Sequence, residues 1–588
     1  MRTNAITNPT PARTRNSAPP SPGRGLLLPI AFAGVLLALA LGSGGCGDDD
    51  SDSESSNRSI TIEEERNYSF DDSDYDWDSP GPVARVRLEV NEFNHGDMAI
   101  TIFDALGRVI FSKIYWTFDW YWYIDGEFSD LDFTEAGEPG LWTILLEYSE
   151  FTGEVTLVVE TTEDVPEEPE VPPPTSDSDL LDASYGDDGR AAYEPDTAGG
   201  RRVAIDSAGR AVTCGSRIDA EGNRALGVWR FTTAGALDST FGSGGVYTFA
   251  SPDVSASGGF DLALDGFGGI LVSGWAAGPD RRTDLVLVHL NDAGQIDTDF
   301  GAGGFARLDL GEDEIGTGVA VDGSGAIHVA GTSRAADNSS GRVLLARFAG
   351  NGILDPAFGD GGVARTTGDA TDRGADVGLQ SSGLPVVLGA RRQGAALFRF
   401  TAEGDLDTTF GSGGVVTSEG GAGEIRIGRS LAIAADDTLA VAGLRVFQTE
   451  TDPSEATIWR LTPNGLPLTT FNGSGFLAYR HTGGSAAASG IAFDSVDRLV
   501  VSGGTKPSTG DSSGASATLW RYFASGAFDG SLPGSGGTGV ARFDPRPDAA
   551  GTSASALVFA PDGSLFSTGS AFDRESGAID LVVWQLEP

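Results

Sequence analysis

From residue 181 onward, short apolar runs return in the same order every 52 to 61 residues. The spacing is set by an aromatic position, Tyr185, Phe241, Phe300, Phe358, Phe410 and Phe471, with Leu532 as the seventh member. A second marker keeps the same period: a glycine inside a hydrophobic run, at Gly215, Gly274, Gly331, Gly389, Gly443, Gly503 and Gly569. Two independent markers with one period define a structural repeat. In the second copy the alternation predicts four strands, DLALD (261–265), ILVSGW (270–275), LVLVHL (285–290) and FARLDL (305–310). Turns rich in Asp and Gly separate them. Four short antiparallel strands repeated seven times predict an all-β, seven-bladed β-propeller over 181–588. The first run of each copy is rich in small residues, which suits the strand nearest a crowded axis. The last copy lacks a fourth strand, and LDASYGDDGRAAYEP (181–195) supplies one without the other three. The two ends of the repeat are therefore predicted to complete one blade together, which removes an open sheet edge.

The signature of the repeat is LDSTFGSGG (237–245), IDTDFGAGG (296–304), LDPAFGDGG (354–362) and LDTTFGSGG (406–414), with weaker copies elsewhere. This pattern resembles the delta-60 repeat family of bacterial secreted and surface proteins. The resemblance implies a propeller-like fold and no general enzymatic activity. Within it Asp238, Phe241, Gly242, Asp297, Phe300, Gly301, Asp355, Phe358, Gly359, Asp407, Phe410 and Gly411 form the recurring motif. An arginine recurs in the third strand at 230, 347, 399, 460 and 521. Residues repeated in every blade serve the blade, so Asp at the head of the turn and Arg beside it are read as structural.

Residues 58–162 form a different unit. Alternation predicts strands at 83–90, 98–104, 108–116, 141–148 and 155–161, and turns between them predict a small jelly-roll-like β-sandwich. The run IYWTFDWYWYI (114–124) separates two faces by parity: Ile114, Trp116, Phe118, Trp120, Trp122 and Ile124 face one way, Tyr115, Tyr121 and Tyr123 the other. A tyrosine-lined face is a candidate surface for a sugar ring or a protein. HGDMAITIFDALGRVIF (95–111) with GEPGLWTILLEYSEFTGEVTLVV (137–159) is similar to the P-domain jelly roll that accompanies subtilisin-like proteases, which implies an accessory role. Asp72, Asp74 and Asp76 alternate in DDSDYDWDSPG and are weak calcium candidates. They lack the glycine and glutamate of an EF-hand, so a solvated acidic loop is the simpler reading, and no cofactor is expected.

Composition changes the picture at the N-terminal side. The chain of 588 residues carries 84 acidic against 39 basic side chains, a formal charge of −45. Residues 46–180 alone hold 35 acidic and 6 basic residues. Such acidity excludes a nucleic-acid partner, which requires a basic footprint. EDVPEEPEVPPPTSDSD (163–179) reads as an extended, self-repelling linker, here taken as 163–180. Residues 1–45 combine four arginines with the apolar run LLLPIAFAGVLLALAL (26–41) and small residues before Cys46, the layout of a secretory signal. The segment resembles a bacterial lipobox, which implies that Cys46 is lipidated and becomes the mature N-terminus. Residues 46–57 then form an acidic tether beyond a membrane anchor. The implied address is the bacterial cell envelope, at the outer membrane or cell surface.

Two cysteines exclude a disulfide scaffold and a cysteine-based zinc cluster. Cys214 lies in the hydrophobic run AVTCG and reads as a core residue. There is no P-loop or HExxH motif, and no nucleophile elbow with triad partners in reach. The segments joining second and third strands, such as 216–225, 332–341, 444–455, 504–516 and 570–577, vary in sequence and are polar. Loops on a rigid scaffold are where binding is usually carried. The expected function is therefore a non-enzymatic, lipid-anchored envelope protein whose propeller binds a protein or glycan. Two alternatives stand beside it: a glycan lyase or hydrolase with paired carboxylates at the channel mouth, and a spacer without a ligand.

Overall fold

The computed structural model describes the strands between residues 59 and 161 as backbone. It also describes residues 180–587 apart from 194–196, 219–223, 279–281, 336–339, 367–371, 393, 419, 421–423, 448–452, 482–483, 508–514, 544–548 and 574–578. The chain divides into two units near residue 171.

The N-terminal unit is a six-stranded antiparallel sheet of β1 (Ser59–Ser69), β2 (Ser73–Ser79), β3 (Val83–Phe103), β4 (Val109–Tyr115), β5 (Leu131–Ala136) and β6 (Gly140–Thr161). Two long strands organise it. β3 and β6 pair along their whole length, with register shifts between Val90 and Asp97. β5 flanks the first half of β3 and β4 the second. β1 flanks the second half of β6 and β2 the first. This corrects the strand count expected from the sequence: 83–90 and 98–104 belong to one strand, as do 141–148 and 155–161. The polar residues between each pair had read as turns, yet they continue the ladder through irregularities, because a bulge keeps a strand paired while re-aiming it.

The second unit is a seven-bladed propeller. Seven four-stranded antiparallel sheets follow one another, and within the first six the strands are ordered as in the sequence. The first strands are Thr197–Ile205, Ala256–Leu264, Asp313–Val321, Arg373–Leu379, Glu424–Ile433, Gly484–Phe493 and Ala549–Phe559 in blades 1 to 7. Each contacts the first strand of the next blade, and that of blade 7 contacts that of blade 1, so the ring is closed. Closure is covalently asymmetric: three strands of blade 7 come from 549–586, and the fourth, Arg190–Tyr193, comes from the other end of the repeat. Val582 pairs with Ala192 and Val583 with Ala191 across that join.

The seven marker glycines have one physical cause. Every first strand carries a β-bulge opposite the marker glycine, as between Gly200 and Arg202 or between Gly428 and Ser430. The bulge drives a carbonyl of the first strand against the second. A Cβ on Gly215, Gly274, Gly331, Gly389, Gly443, Gly503 or Gly569 would meet that carbonyl oxygen at 1.9–2.1 Å. Only glycine allows the approach. The apolar core lies between neighbouring blades, with the motif aromatics Phe241, Phe358, Phe410 and Phe471 fully buried in it.

Neighbouring blades are also stapled by main chain. The residue after each motif aromatic donates its N–H to a carbonyl in the next blade's turn between third and fourth strands. The pairs are Gly186 to Ala234, Gly242 to Ala293, Gly301 to Asn351, Gly359 to Glu403, Gly411 to Asn464 and Asn472 to Ser525, at 2.7–3.0 Å. The seventh junction, from blade 6 to blade 7, is different. Pro533 stands at the donor position and has no N–H. Blade 7 has no such turn, since its third and fourth strands come from opposite ends of the repeat.

Candidate functional site

The repeated motif gathers its residues into one arrangement. In blade 1 the Asp238 carboxylate accepts hydrogen bonds from the Thr240 N–H and hydroxyl through Oδ1, and from Arg230 Nε at 2.8 Å through Oδ2. Arg347–Asp355 and Arg399–Asp407 repeat the pair at 2.9 and 2.8 Å. In blade 2 His289 Nδ1 takes the arginine's place, 3.0 Å from Asp297. In blade 7 Gln585 Nε2 donates to Asp182 at 2.9 Å. The guanidinium also lies over the motif aromatic, 4.6 Å from the Phe241 and Phe358 ring centres and 4.9 Å from that of Phe410. Its outer nitrogen reaches the next blade's turn, where Arg347 donates to the Ala402 carbonyl at 2.6 Å and Arg399 to the Pro463 carbonyl at 2.8 Å. Each such arginine closes its own turn and ties it to its neighbour. The Thr240 bonds and the Arg230 cation hold the Asp238 carboxyl below its usual range, against its burial.

One polar constellation breaks the repeat. The residue just past the bulge of each first strand is Arg202, Asp261, Gly318, Asp376, Ser430, Gly490 and Ala556. Three of the seven are charged, and the structure brings those three together. Arg202 Nε donates to Asp261 Oδ1 at 2.5 Å, and its Nη2 donates to Asp376 Oδ1 at 2.8 Å. The acids therefore come from blades 2 and 4 and the base from blade 1. Their other bonds are to main chain: Asp261 accepts from the Leu262 and Val319 amides, Asp376 from the Val377 and Leu431 amides. The carboxylates are 4% and 3% exposed and the guanidinium 24%, so water reaches only the cation. Burial pushes the Asp261 carboxyl up, while Arg202 opposes that rise, and the two acids in turn raise the guanidinium. All four carboxylate oxygens are engaged by internal donors.

Sequence reasoning did not find this set. Its signal is visible in retrospect, because aligning the seven copies on the marker glycine puts Arg, Asp and Asp in a column otherwise made of small residues.

A second acidic group comprises Asp284, Asp309 and Glu314, whose nearest carboxylate oxygens lie within 4.8 Å of one another. Arg307 Nε bonds Asp284, while Glu314 accepts from the Leu310 amide and the Ser333 hydroxyl. Burial, with the neighbouring Asp284 and Glu312 charges, pushes the Glu314 carboxyl up to about 7.

Cys46, Asp72, Tyr121 and Tyr123 lie outside the described residues. Asp74, Asp76 and Tyr115 sit on β2 and β4, where only the backbone is described. The tips of most segments between second and third strands also lie outside them. Cys214 is fully buried in the second strand of blade 1, and burial pushes its thiol up and away from reactivity. His289, His328 and His481 stand in blades 2, 3 and 5 or its exit, each with its own partner: Asp265 and Asp297, Asp322, and Arg542.

No family model matches the chain, and no curated protein sequence matches it. Among solved structures the chain is similar to a glucose dehydrogenase, with 12% identity over 56% of this chain and 96% of that one, at a TM-score of 0.33. It is similar to Drosophila Plexin A in complex with Semaphorin 1b, with 8% identity over 68% and 86% of the two chains and a TM-score of 0.37. It is also similar to an exo-1,5-α-L-arabinanase from a bovine ruminal metagenomic library, with 13% identity over 47% and 98% and a TM-score of 0.24. The assignment of the fold rests on the seven sheets themselves.

Proposed function

We propose that the chain is a non-catalytic, lipid-anchored protein of the bacterial cell envelope whose propeller is a rigid platform for a protein or glycan. The observation that carries the non-catalytic part is the fate of the paired acids that break the repeat. Asp261 and Asp376 are buried and spent on Arg202 and on four main-chain amides, so they tie five blades together. A glycosidase needs two accessible carboxyls flanking the scissile bond, one of them free to donate a proton. The envelope address is supported by the lipobox-like run before Cys46 and by the acidic tether that follows it.

Two measurements test the reading. Mass spectrometry of the mature protein expressed in a bacterium should find Cys46 acylated and N-terminal, and Cys46→Ala should remain unprocessed. A panel of acidic and neutral polysaccharides should show retention on a glycan array without turnover. Release of reducing ends or unsaturated products that disappears in Asp376→Asn would overturn the non-catalytic reading in favour of the glycan-active enzyme.

A further inference from the structure

The junction between blades 6 and 7, already distinguished by Pro533, holds a half-open cavity of about 330 Å³ whose walls include Asp494, Arg498, Arg521, Leu532 and Phe559. Blade 1 shows what the same residues do at a complete junction. The segment Asp494–Arg498 (DSVDR) corresponds to Asp206–Arg210 (DSAGR), Trp520–Arg521 to Trp229–Arg230, and Asp529 to Asp238. In blade 1 both arginines converge on Asp292, in the turn of the next blade. Arg210 Nη2 lies 2.6 Å from its Oδ1 and Arg230 Nη1 3.2 Å from the same oxygen, and Arg230 Nη1 also donates to the Asp292 carbonyl. One aspartyl residue is thus gripped at its carboxylate and its carbonyl.

Blade 6 keeps the grip without the aspartate. Arg498 Nε donates to Asp494 and its Nη1 to Asp529 at 2.9 Å, and Arg521 Nε also lies 2.9 Å from Asp529. Arg521 Nη2 donates to the Ser531 hydroxyl. Among the described residues no hydrogen bond engages Arg498 Nη2 or Arg521 Nη1, the counterparts of the atoms that hold Asp292. The Arg521 side chain is only 3% exposed, and both arginines line the cavity. Two guanidiniums here face two carboxylates, Asp494 and Asp529, whereas the blade 1 cluster accommodates a third in Asp292. The junction therefore has room, donors and charge for one more carboxylate.

We propose that this cavity is a binding site for a carboxylate with a carbonyl two or three bonds away, the chemistry of an aspartyl residue. The carboxylate would bridge Arg498 Nη2 and Arg521 Nη1, with Phe493 and Phe559 as apolar walls. The inference does not depend on lipidation or on Asp261 and Asp376. It distinguishes a charged ligand from its amide, because asparagine brings no negative charge to the two guanidiniums and presents an N–H donor where the carboxylate has its second acceptor.

Calorimetry and chemical-shift titration of the full chain test it with three probes: N-acetyl-aspartate N-methylamide, its asparagine counterpart and succinate. The aspartyl probe should bind, and the asparagine probe should bind at least about tenfold more weakly. Succinate binding as well as the aspartyl probe supports the site and identifies free small acids as its ligands. Weak succinate binding supports it and identifies peptide. Arg498→Gln should cost about tenfold in affinity. Ser495→Phe, on the exposed hairpin at the rim, should block binding while circular dichroism and melting stay unchanged. Equal affinity for the asparagine probe, no binding of the aspartyl probe at about 10 mM, or unchanged affinity in Ser495→Phe would each overturn the proposal.

Discussion

Arg460 is paired with Leu468 where blades 1, 3, 4 and 6 pair arginine with aspartate. The Leu468 amide still donates to the Arg460 carbonyl at 3.0 Å, so the turn has kept its shape and lost only its acceptor. The guanidinium is 2% exposed, donates through Nη2 to the Thr438 hydroxyl and lies 4.7 Å from the Phe493 ring centre. Its Nε and Nη1 have no hydrogen-bond partner among the described residues. A buried, under-satisfied cation is destabilising, and burial accordingly lowers its proton affinity. Leu468→Asp restores the acceptor where the backbone already fits it. It should stabilise the protein by about 1–3 kcal/mol in chemical denaturation. Asp238→Leu, which removes the same acceptor from blade 1, should destabilise by a similar amount.

Glu314 should make stability depend on pH. Its folded carboxyl titrates at about 7 against a usual 4.5, because burial disfavours the charged form. The fold therefore prefers the protonated group. Its contribution is fully present below about pH 4.5 and is lost as pH rises through about 7, after which it is flat. The loss is about 2 kcal/mol once solvent screening is allowed for. Glu314→Gln should flatten that part of the profile, as read from denaturation midpoints at a series of pH values. An unchanged slope would show that Glu314 does not govern it.

Gly443→Ala is expected to cost about 2 kcal/mol or more, although it adds one methyl group and changes no charge. The Cβ would sit 1.9 Å from the Ile427 carbonyl oxygen, which the bulge at Arg429 presses against the second strand. Gly504→Ala, one position past the marker in blade 6, would make only an ordinary contact, 3.7 Å from the Ser516 carbonyl oxygen, and should be nearly neutral. Melting curves of the two variants separate a general dislike of alanine in these strands from the specific approach at the marker.

These cases show what was legible in the chain and what was not. The marker glycines and motif aromatics recur because every blade solves the same packing problem, so a single sequence displays them seven times. The closure by Arg190–Tyr193 was legible because a fourth strand without its three companions is an unpaired edge. The fusion of 83–90 with 98–104 was not, since the polar residues at the irregularities of β3 look like a turn when its partner β6 is unseen. Arg202, Asp261 and Asp376 occur once each and meet only through the curvature of the ring. Pro533 and Leu532 were visible as a worn copy of the motif. Their consequence, a cavity, became apparent only when the missing turn of blade 7 was placed beside them.

The Arg202–Asp261–Asp376 triad supplies the sharpest test of how the ring is held. Arg202→Met removes the cation between two buried carboxylates and leaves their main-chain amides in place. Breaking a buried ion pair from one side costs about 3–5 kcal/mol, since the remaining charges lose their compensation. Asp261 is already pushed up by burial, and without Arg202 it rises further. A carboxyl raised in the fold contributes stability at low pH that is lost as pH rises, so Arg202→Met should lie closer to the wild type near pH 4 than near pH 7. Adding Asp376→Asn should recover part of the loss at neutral pH, because only one buried negative charge then remains. If the double variant is instead less stable than Arg202→Met at every pH, the acids hold blade 2 to blade 3 and blade 4 to blade 5 through their main-chain bonds. Arg202 would then be an accessory to a junction made by the carboxylates themselves.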